Sequence, residues 1–342
     1  MNVSDPHVVE VPETPRGGLN IRRILAVMLL AVVVYAGFAI WGGVGKIKVG
    51  LSHFQWWTFG AAFGLAFGNY VLRFFKWQFY LAKLGIIGAP PKSGDRDVGV
   101  IDSFLTFLSG FVLTISPGKV GEVFKSYVLN ETHGVPMPKT APIVVAERIT
   151  DLIGIIVLIV LGSLGFRGGF IPAAVGTVLV GTLLAVIASR RASMAVIAFV
   201  RTLPGPFKKV GPKLEEAYES LTVLVAPKNL IWPTLLSIAA WSLECFALAV
   251  ILFGFDAHVP VALSVFFYAT STLAGAVIPV PGGLGVTETG LREQMTTMGH
   301  VDEATSTAAM MFVRFATLWF AVAVGFLALA LIKRRYPKIL RG

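Results

Sequence analysis

Ile115-Ser116-Pro117-Gly118-Lys119-Val120-Gly121-Glu122 breaks an apolar segment at a Pro-Gly pair and runs straight into charge. Ile278-Pro279-Val280-Pro281-Gly282-Gly283-Leu284-Gly285-Val286-Thr287-Glu288 does the same far downstream. In both, a glycine follows three residues after the first and a glutamate closes the run. Each run precedes a hydrophobic segment carrying an arginine, Arg148 at 31 residues from Pro117 and Arg314 at 33 residues from Pro281. The chain therefore contains an internal repeat built around two broken apolar segments.

Composition identifies the solvent of that repeat. Hydrophobic residues make up 55% of the 342 and charged residues 14%, against about 25% charged in a soluble domain. The expected fold class is an all-α integral membrane protein, and at about 20 residues per crossing the length suggests roughly six to eight spans. The net charge of +10 suits cytoplasmic loops facing anionic headgroups. No basic-aromatic nucleic-acid motif accompanies it, so no nucleic-acid partner is expected. The single cysteine, Cys245, lies in an apolar run and forms no internal disulfide.

Residues 1–23 read as a polar cytoplasmic tail ending in Arg22 and Arg23, and 24–45 as a retained first helix. A second helix over 54–72 is expected to leave the membrane through Arg73, Phe74, Phe75, Lys76 and Trp77. That exit has two readings: an interfacial belt, or a phosphate-contacting face using Arg73 and Lys76. After a loop at 88–97, the apolar stretch 102–116 is too short to cross comfortably and reads as re-entrant. The chain returns through a polar stretch at 119–139. A span over 142–164 carries Glu147, Arg148 and Asp151 in its first three turns, and a further span is expected over 171–188. Residues 207–226 form an amphipathic connector on the cytoplasmic surface, with Leu214, Ala217, Tyr218, Leu221 and Val225 on one face. Spans over 231–253, holding Glu244, and 305–332, holding Arg314, flank a second re-entrant segment at 261–280.

With both broken segments re-entrant there are about six crossings, and the Lys- and Arg-rich loops 73–96, 190–213 and 333–341 all fall inside with both termini. The membrane domain then covers 24–335 and a short cytoplasmic tail 336–342. Repeat one (about 54–189) and repeat two (about 231–332) are expected to be inverted, with their broken helices meeting near the bilayer midplane.

A broken helix is tolerated in a bilayer only where protein or water covers its backbone. Gly118, Gly121, Gly282, Gly283 and Gly285 permit close backbone approach, and helices starting after each break offer N-terminal amides to an anion. Glu122 and Glu288 serve equally as caps at those termini. An ionisable group at the centre of a span costs about 2.5 to 3.5 kcal/mol. Arg148 and Asp151 are spaced to neutralise one another, Glu147 shares the face of Asp151, and pairing Glu244 with Arg314 would offset both penalties. Two readings stay open: structural ion pairs, or an anion site built from Arg148 and Arg314 with Glu147, Asp151 and Glu244 holding or titrating around them.

Four motifs in order carry a resemblance: Arg73-x-x-Lys76-Trp77, Pro117-Gly118-Lys119-Val120-Gly121-Glu122, Glu147-Arg148-Ile149-Thr150-Asp151-Leu152 and Pro281-Gly282-Gly283-Leu284-Gly285-Val286-Thr287-Glu288. Together they resemble the flippase domain of bacterial lysylphosphatidylglycerol synthases and related stand-alone membrane proteins associated with hopanoid lipids and polyprenyl-linked sugars. The resemblance spans roughly 20–335. It implies a translocase in the cell membrane moving a phospholipid, hopanoid-type or polyprenyl-phosphate-linked lipid between leaflets, its anionic substrate bound by the motif residues. The synthase domain is expected to be absent, leaving lipid synthesis to a separately encoded enzyme; a homo-oligomer stays open.

Enzyme readings lack support. The five histidines have no metal-ligand spacing, and nucleophile elbow, paired cysteines and phosphate loop are missing. No catalytic residue, metal or cofactor is expected. The alternative functions are an ion-coupled carrier of a small anion and, third, an intramembrane enzyme acting on a lipid headgroup.

Overall fold

The computed structural model describes residues 54–88, 98–116, 120–164, 211–278 and 280–337, with isolated positions elsewhere. Among the described residues every regular element is helical. The expected first helix at 24–45, the connector's first residues 207–210, and Pro117, Gly118 and Lys119 lie outside the described residues, as does most of the expected span 171–188.

Helix α1 covers Trp56–Lys83, so the chain does not leave the helix at Leu72. Its buried stripe, Ala62, Ala66, Asn69, Tyr70, Arg73, Trp77 and Tyr80, recurs at three- and four-residue steps and includes two small residues that admit a neighbour. The interfacial-belt reading of Arg73 and Lys76 is overturned, because both side chains are buried and each reaches a carboxylate on another element. That removes both from the count of cytoplasmic loop charges.

Helix α7, Pro227–Gly254, has the same 28-residue length as α1 and packs along it. Gln55 donates its backbone N–H to Gly254 O (3.0 Å), and Asn69 donates from Nδ2 to Ala240 O (2.8 Å). Residue numbers rise along one helix as they fall along the other, so the two run antiparallel.

The two short apolar segments fold back on themselves. Helix α2, Val100–Ser109, continues into a 3-10 turn at Gly110–Leu113; a second 3-10 turn at Val120–Val123 leads into α3, Phe124–His133. A Cβ on Gly110 would lie 3.4 Å from Lys125 Cβ, which sets α2 against α3 as a hairpin. In the second half α8, Val261–Val277, turns at the second break into α9, Val286–Thr297, where a Cβ on Gly290 would lie 2.9 Å from Ser271 Oγ. Neither α2 nor α8 reaches the ~20 residues a crossing requires.

After the first hairpin come the short α4, Met137–Thr140, and α5, Pro142–Ser163, whose limits match the expected span. After the second come α10, Glu303–Arg314, a π-turn at Phe315–Trp319, and α11, Phe320–Arg335. Asp302 caps α10 by accepting from Thr305 N (3.0 Å). The packing crosses between halves: α5 lies on α8 and α11 lies on α2. Gly162 meets the backbone of Phe266, and Gly325 meets Val112 N, where an added Cβ would stand only 2.6 Å away.

The amphipathic connector α6, Gly211–Leu224, is present, and its Leu221 and Leu224 belong to the same apolar cluster as Leu81 of α1. Among the described residues two helical stretches are long and apolar enough to cross a membrane, Pro227–Gly254 and the continuous Glu303–Arg335. Helices α1 and α5 are 28 and 22 residues long and carry buried ions, α1 in its second half and α5 in its first three turns.

Candidate functional site

The tips of the two hairpins meet. Ile115, at the first break, lies against Gly282 in the second, and Leu284, Leu318 and Val322 close over Ile115. Gly282, Gly283 and Gly285 have φ of 62°, 68° and 85°, a left-handed path costing other residues about 1 to 2 kcal/mol each. The glycines therefore set the shape of this break. Gly121 closes the first break differently, donating its N–H to Ser116 Oγ (2.6 Å) in a space where a Cβ would strike Leu113.

Beside this junction lies a cavity of about 200 Å³, lined by parts of α1, α5, α7, α8, α10 and both breaks. Arg73, Arg148 and Arg314 line it together with Asp151 and Glu244, so five expected site residues converge there. Gly282 and Gly283 line it as well. The lining also includes apolar residues, Ala276, Val277 and Val280, of which Ala276 and Val277 are exposed.

The charges around the cavity form an ordered set. Glu122 accepts from Arg73 Nη2 (3.2 Å) and Arg148 Nη2 (3.1 Å), bridging α1 and α5. Arg148 also reaches Asp151 Oδ2 (3.1 Å), the expected pairing at a three-residue step. Asp151 in turn accepts from Lys76 Nζ (2.5 Å) and from Ser237 Oγ of α7 (2.9 Å). Behind them Lys125 donates to Glu147 (2.5 Å) and lies 4.8 Å from the Trp77 ring centroid. Glu147 and Lys76 are therefore structural partners one layer back from the cavity, absent from its lining.

In the second half Glu288 has two tasks. One oxygen accepts from Gly285 N (2.8 Å) at the start of α9, and the other accepts from Arg314 Nε (2.6 Å). Its capping role is present, but its own carboxylate holds the place at the helix terminus expected for a ligand anion. Arg314 Nη2 also donates to Gly282 O (3.0 Å), tying the break to α10. Glu122–Arg148 and Glu288–Arg314 are both separated by 26 residues.

Glu244 is not paired with Arg314 as expected. Its Oε2 accepts from Tyr268 Oη (2.7 Å), and among the described residues no ion pair joins it to a cation. Tyr268 Oη also lies 3.3 Å from Thr317 Oγ1, while Tyr70 Oη donates to Thr317 O (3.0 Å). Among the described residues the interior around the cavity thus holds five cations, Arg73, Lys76, Lys125, Arg148 and Arg314, and five carboxylates, Glu122, Glu147, Asp151, Glu244 and Glu288. With all ionised the described interior is neutral.

Lys125, Tyr70, Tyr268 and Thr317 were not singled out from sequence. Lys125 had a weak signal, standing three residues beyond the Glu122 motif. The tyrosines had none, since aromatic residues on apolar helices are ordinary core. Among the described residues no group of three or more His, Cys, Asp or Glu is arranged to hold a metal ion.

Residues 28–325 match the family model described as Lysylphosphatidylglycerol synthase TM region. No curated protein matches the chain.

Proposed function

The chain belongs to the lysylphosphatidylglycerol synthase transmembrane-region family and is a membrane protein, and from that premise we propose that it is a lipid translocase. Its substrate is a lipid with a phosphate-bearing headgroup, which passes between leaflets with the phosphate in the arginine-lined cavity. The observation that carries this reading is the cavity's mixed lining. Guanidinium groups from three helices line it, and so do Ala276 and Val277, which are exposed. Guanidinium recognises phosphate through forked, charge-assisted hydrogen bonds, and an apolar rim lets an acyl or prenyl chain remain in hydrocarbon while the headgroup is inside. No residue in this arrangement is assigned a bond-breaking role.

We read the two halves as inverted repeats. Support comes from the antiparallel pairing of α1 with α7, the shared 26-residue spacing, and the crossed packing of α5 on α8 and α11 on α2. The basic flanks at Arg22, Arg23, Lys333, Arg334 and Arg335 support a cytoplasmic position for both termini.

The test is reconstitution of the full chain into vesicles containing a trace of fluorescent phosphatidylglycerol, with an impermeant reductant added outside. A translocase lets the reductant bleach well beyond the outer-leaflet half of the fluorophore. Bleaching that stops at half for fluorescent phosphatidylglycerol and for a fluorescent polyprenyl phosphate overturns the reading. Uptake of radiolabelled inorganic phosphate in the same vesicles would instead favour a small-anion carrier.

A further inference from the structure

We propose that Glu244 is a proton-binding site coupled to the anion site, taking up one proton each time a phosphate-bearing group occupies the cavity. The lipid-translocase reading supplies only the choice of phosphate as the anion; the coupling itself follows from the charge arrangement.

Four of the five interior carboxylates have a cation as partner. Glu122, Glu147, Asp151 and Glu288 each accept from an arginine or lysine at 2.5 to 3.2 Å, which stabilises their ionised form. Glu244 has the neutral hydroxyl of Tyr268 instead, in the middle of a helix 28 residues long. It is buried and lines the cavity, so a ligand there is its direct neighbour.

The groups facing it come from every side. Helix α1 presents Tyr70 and Arg73, α5 presents Arg148 and Asp151, α8 presents Tyr268, and α10 presents Arg314. Helix α6, which also touches α7, contributes nothing to the lining. Arg73 and Tyr70 lie within electrostatic range of Glu244 without hydrogen-bonding it. Among the described residues the interior is neutral, so a bound anion adds one charge that they leave uncompensated, and an uncompensated charge in a low-dielectric site is costly. A proton on Glu244 removes one negative charge and restores neutrality when a phosphodiester monoanion enters.

The hydrogen bonds accommodate this without displacement of heavy atoms. In the ionised state Tyr268 O–H donates to Glu244 Oε2. When a proton from water binds that oxygen, the carboxylic O–H donates to Tyr268 Oη. The tyrosine proton then turns toward Thr317 Oγ1, 3.3 Å away. One proton is gained, and no bond between heavy atoms forms or breaks.

The experiment uses the full chain in an uncharged detergent, titrated calorimetrically with dihexanoyl phosphatidylglycerol in buffers of different ionisation heat, with inorganic phosphate as a second arm. The expected result is uptake of about one proton per anion bound, with affinity rising about tenfold for each unit the pH falls across the range where uptake is seen. In Glu244→Gln, uptake falls near zero and affinity becomes independent of pH, while Tyr268→Phe shifts the pH at which uptake begins. Binding of the short-chain lipid but not inorganic phosphate assigns the anion to a headgroup; the reverse assigns it to a free ion. The coupling is overturned by binding without proton uptake, by uptake in Glu244→Gln equal to that of the parent, or by no binding of either anion. The translocase reading fails separately, if proton-coupled binding occurs but labelled lipid does not cross reconstituted vesicles.

Discussion

Gly282 lies against Ile115: a Cβ added to the glycine would stand 3.3 Å from Ile115 Cα, so the two broken segments touch at their tips. Gly282 also has φ of 62°. Replacement by alanine therefore meets both a backbone penalty of about 1 to 2 kcal/mol and a contact with little room to yield. Gly282→Ala should lower the thermal midpoint in detergent by a few degrees and cut translocation severalfold, and Gly282→Leu should abolish translocation in a protein that remains monodisperse. Leucine variants that transport normally would show that the tips do not meet as described. Gly118, the expected counterpart, lies outside the described residues.

Arg148 and Arg314 differ in what they hold. Arg148 reaches Glu122 and Asp151 from one nitrogen and is the more exposed, at 21% of its side chain. Arg148→Lys should fold normally and lose at least tenfold in vesicle translocation, because an ammonium cannot form the guanidinium fork. Arg314 uses two nitrogens to join Glu288 to Gly282. Arg314→Lys should lose transport and also about 1 to 3 kcal/mol of stability from the abandoned carbonyl. Full transport in both lysine variants would remove the arginine pair from the mechanism.

Lys125 and Glu147 make a buried ion pair with side chains 2% and 0% exposed. Removing one partner strands the other, so Lys125→Met and Glu147→Leu should each cost about 3 to 5 kcal/mol, and the double variant much less than their sum. Unfolding of all four proteins in detergent completes the cycle. Strictly additive losses would mean that the two groups are not interacting.

The proposed topology places His258 outside and Lys209 inside. Cys245 is buried and does not compete for reagent. His258 is exposed, so His258→Cys should be labelled by an impermeant thiol reagent in intact cells, and Lys209→Cys only after lysis. Labelling of Lys209→Cys in intact cells would break the assignment.

The limits of several helices were legible because hydrophobic runs end at turn residues. Pro142 and Ser163 bound α5, and Val261 opens α8 after Pro260. The two breaks were legible because Pro-Gly inside an apolar run has few other meanings. The continuation of α1 to Lys83 was not. Arg73 and Lys76 looked like a membrane exit because their partners, Glu122 and Asp151, stand 49 and 75 residues away in sequence. Burial of a charge is decided by such distant partners, which a local pattern does not contain. The same limit explains Glu244, for which Arg314 was the expected partner: each stood as a lone charge in its span, so pairing would offset both penalties, whereas the folded chain sets Glu288 against Arg314.

The π-turn at Phe315–Trp319 separates Arg314, which faces Glu288, from Gly325, which receives the backbone of Val112. In an unbroken α-helix eleven residues bring the chain almost back into phase, so positions 314 and 325 would point the same way. One extra residue in the turn sets the phase back by about 100°, and the two positions can serve different neighbours. Deleting a single residue from 315–319 would leave ten steps of ordinary winding and nearly the same relative phase, whereas rewinding the turn as α-helix at unchanged length would align the arginine with the glycine, so that either the second break or the first would lose its contact.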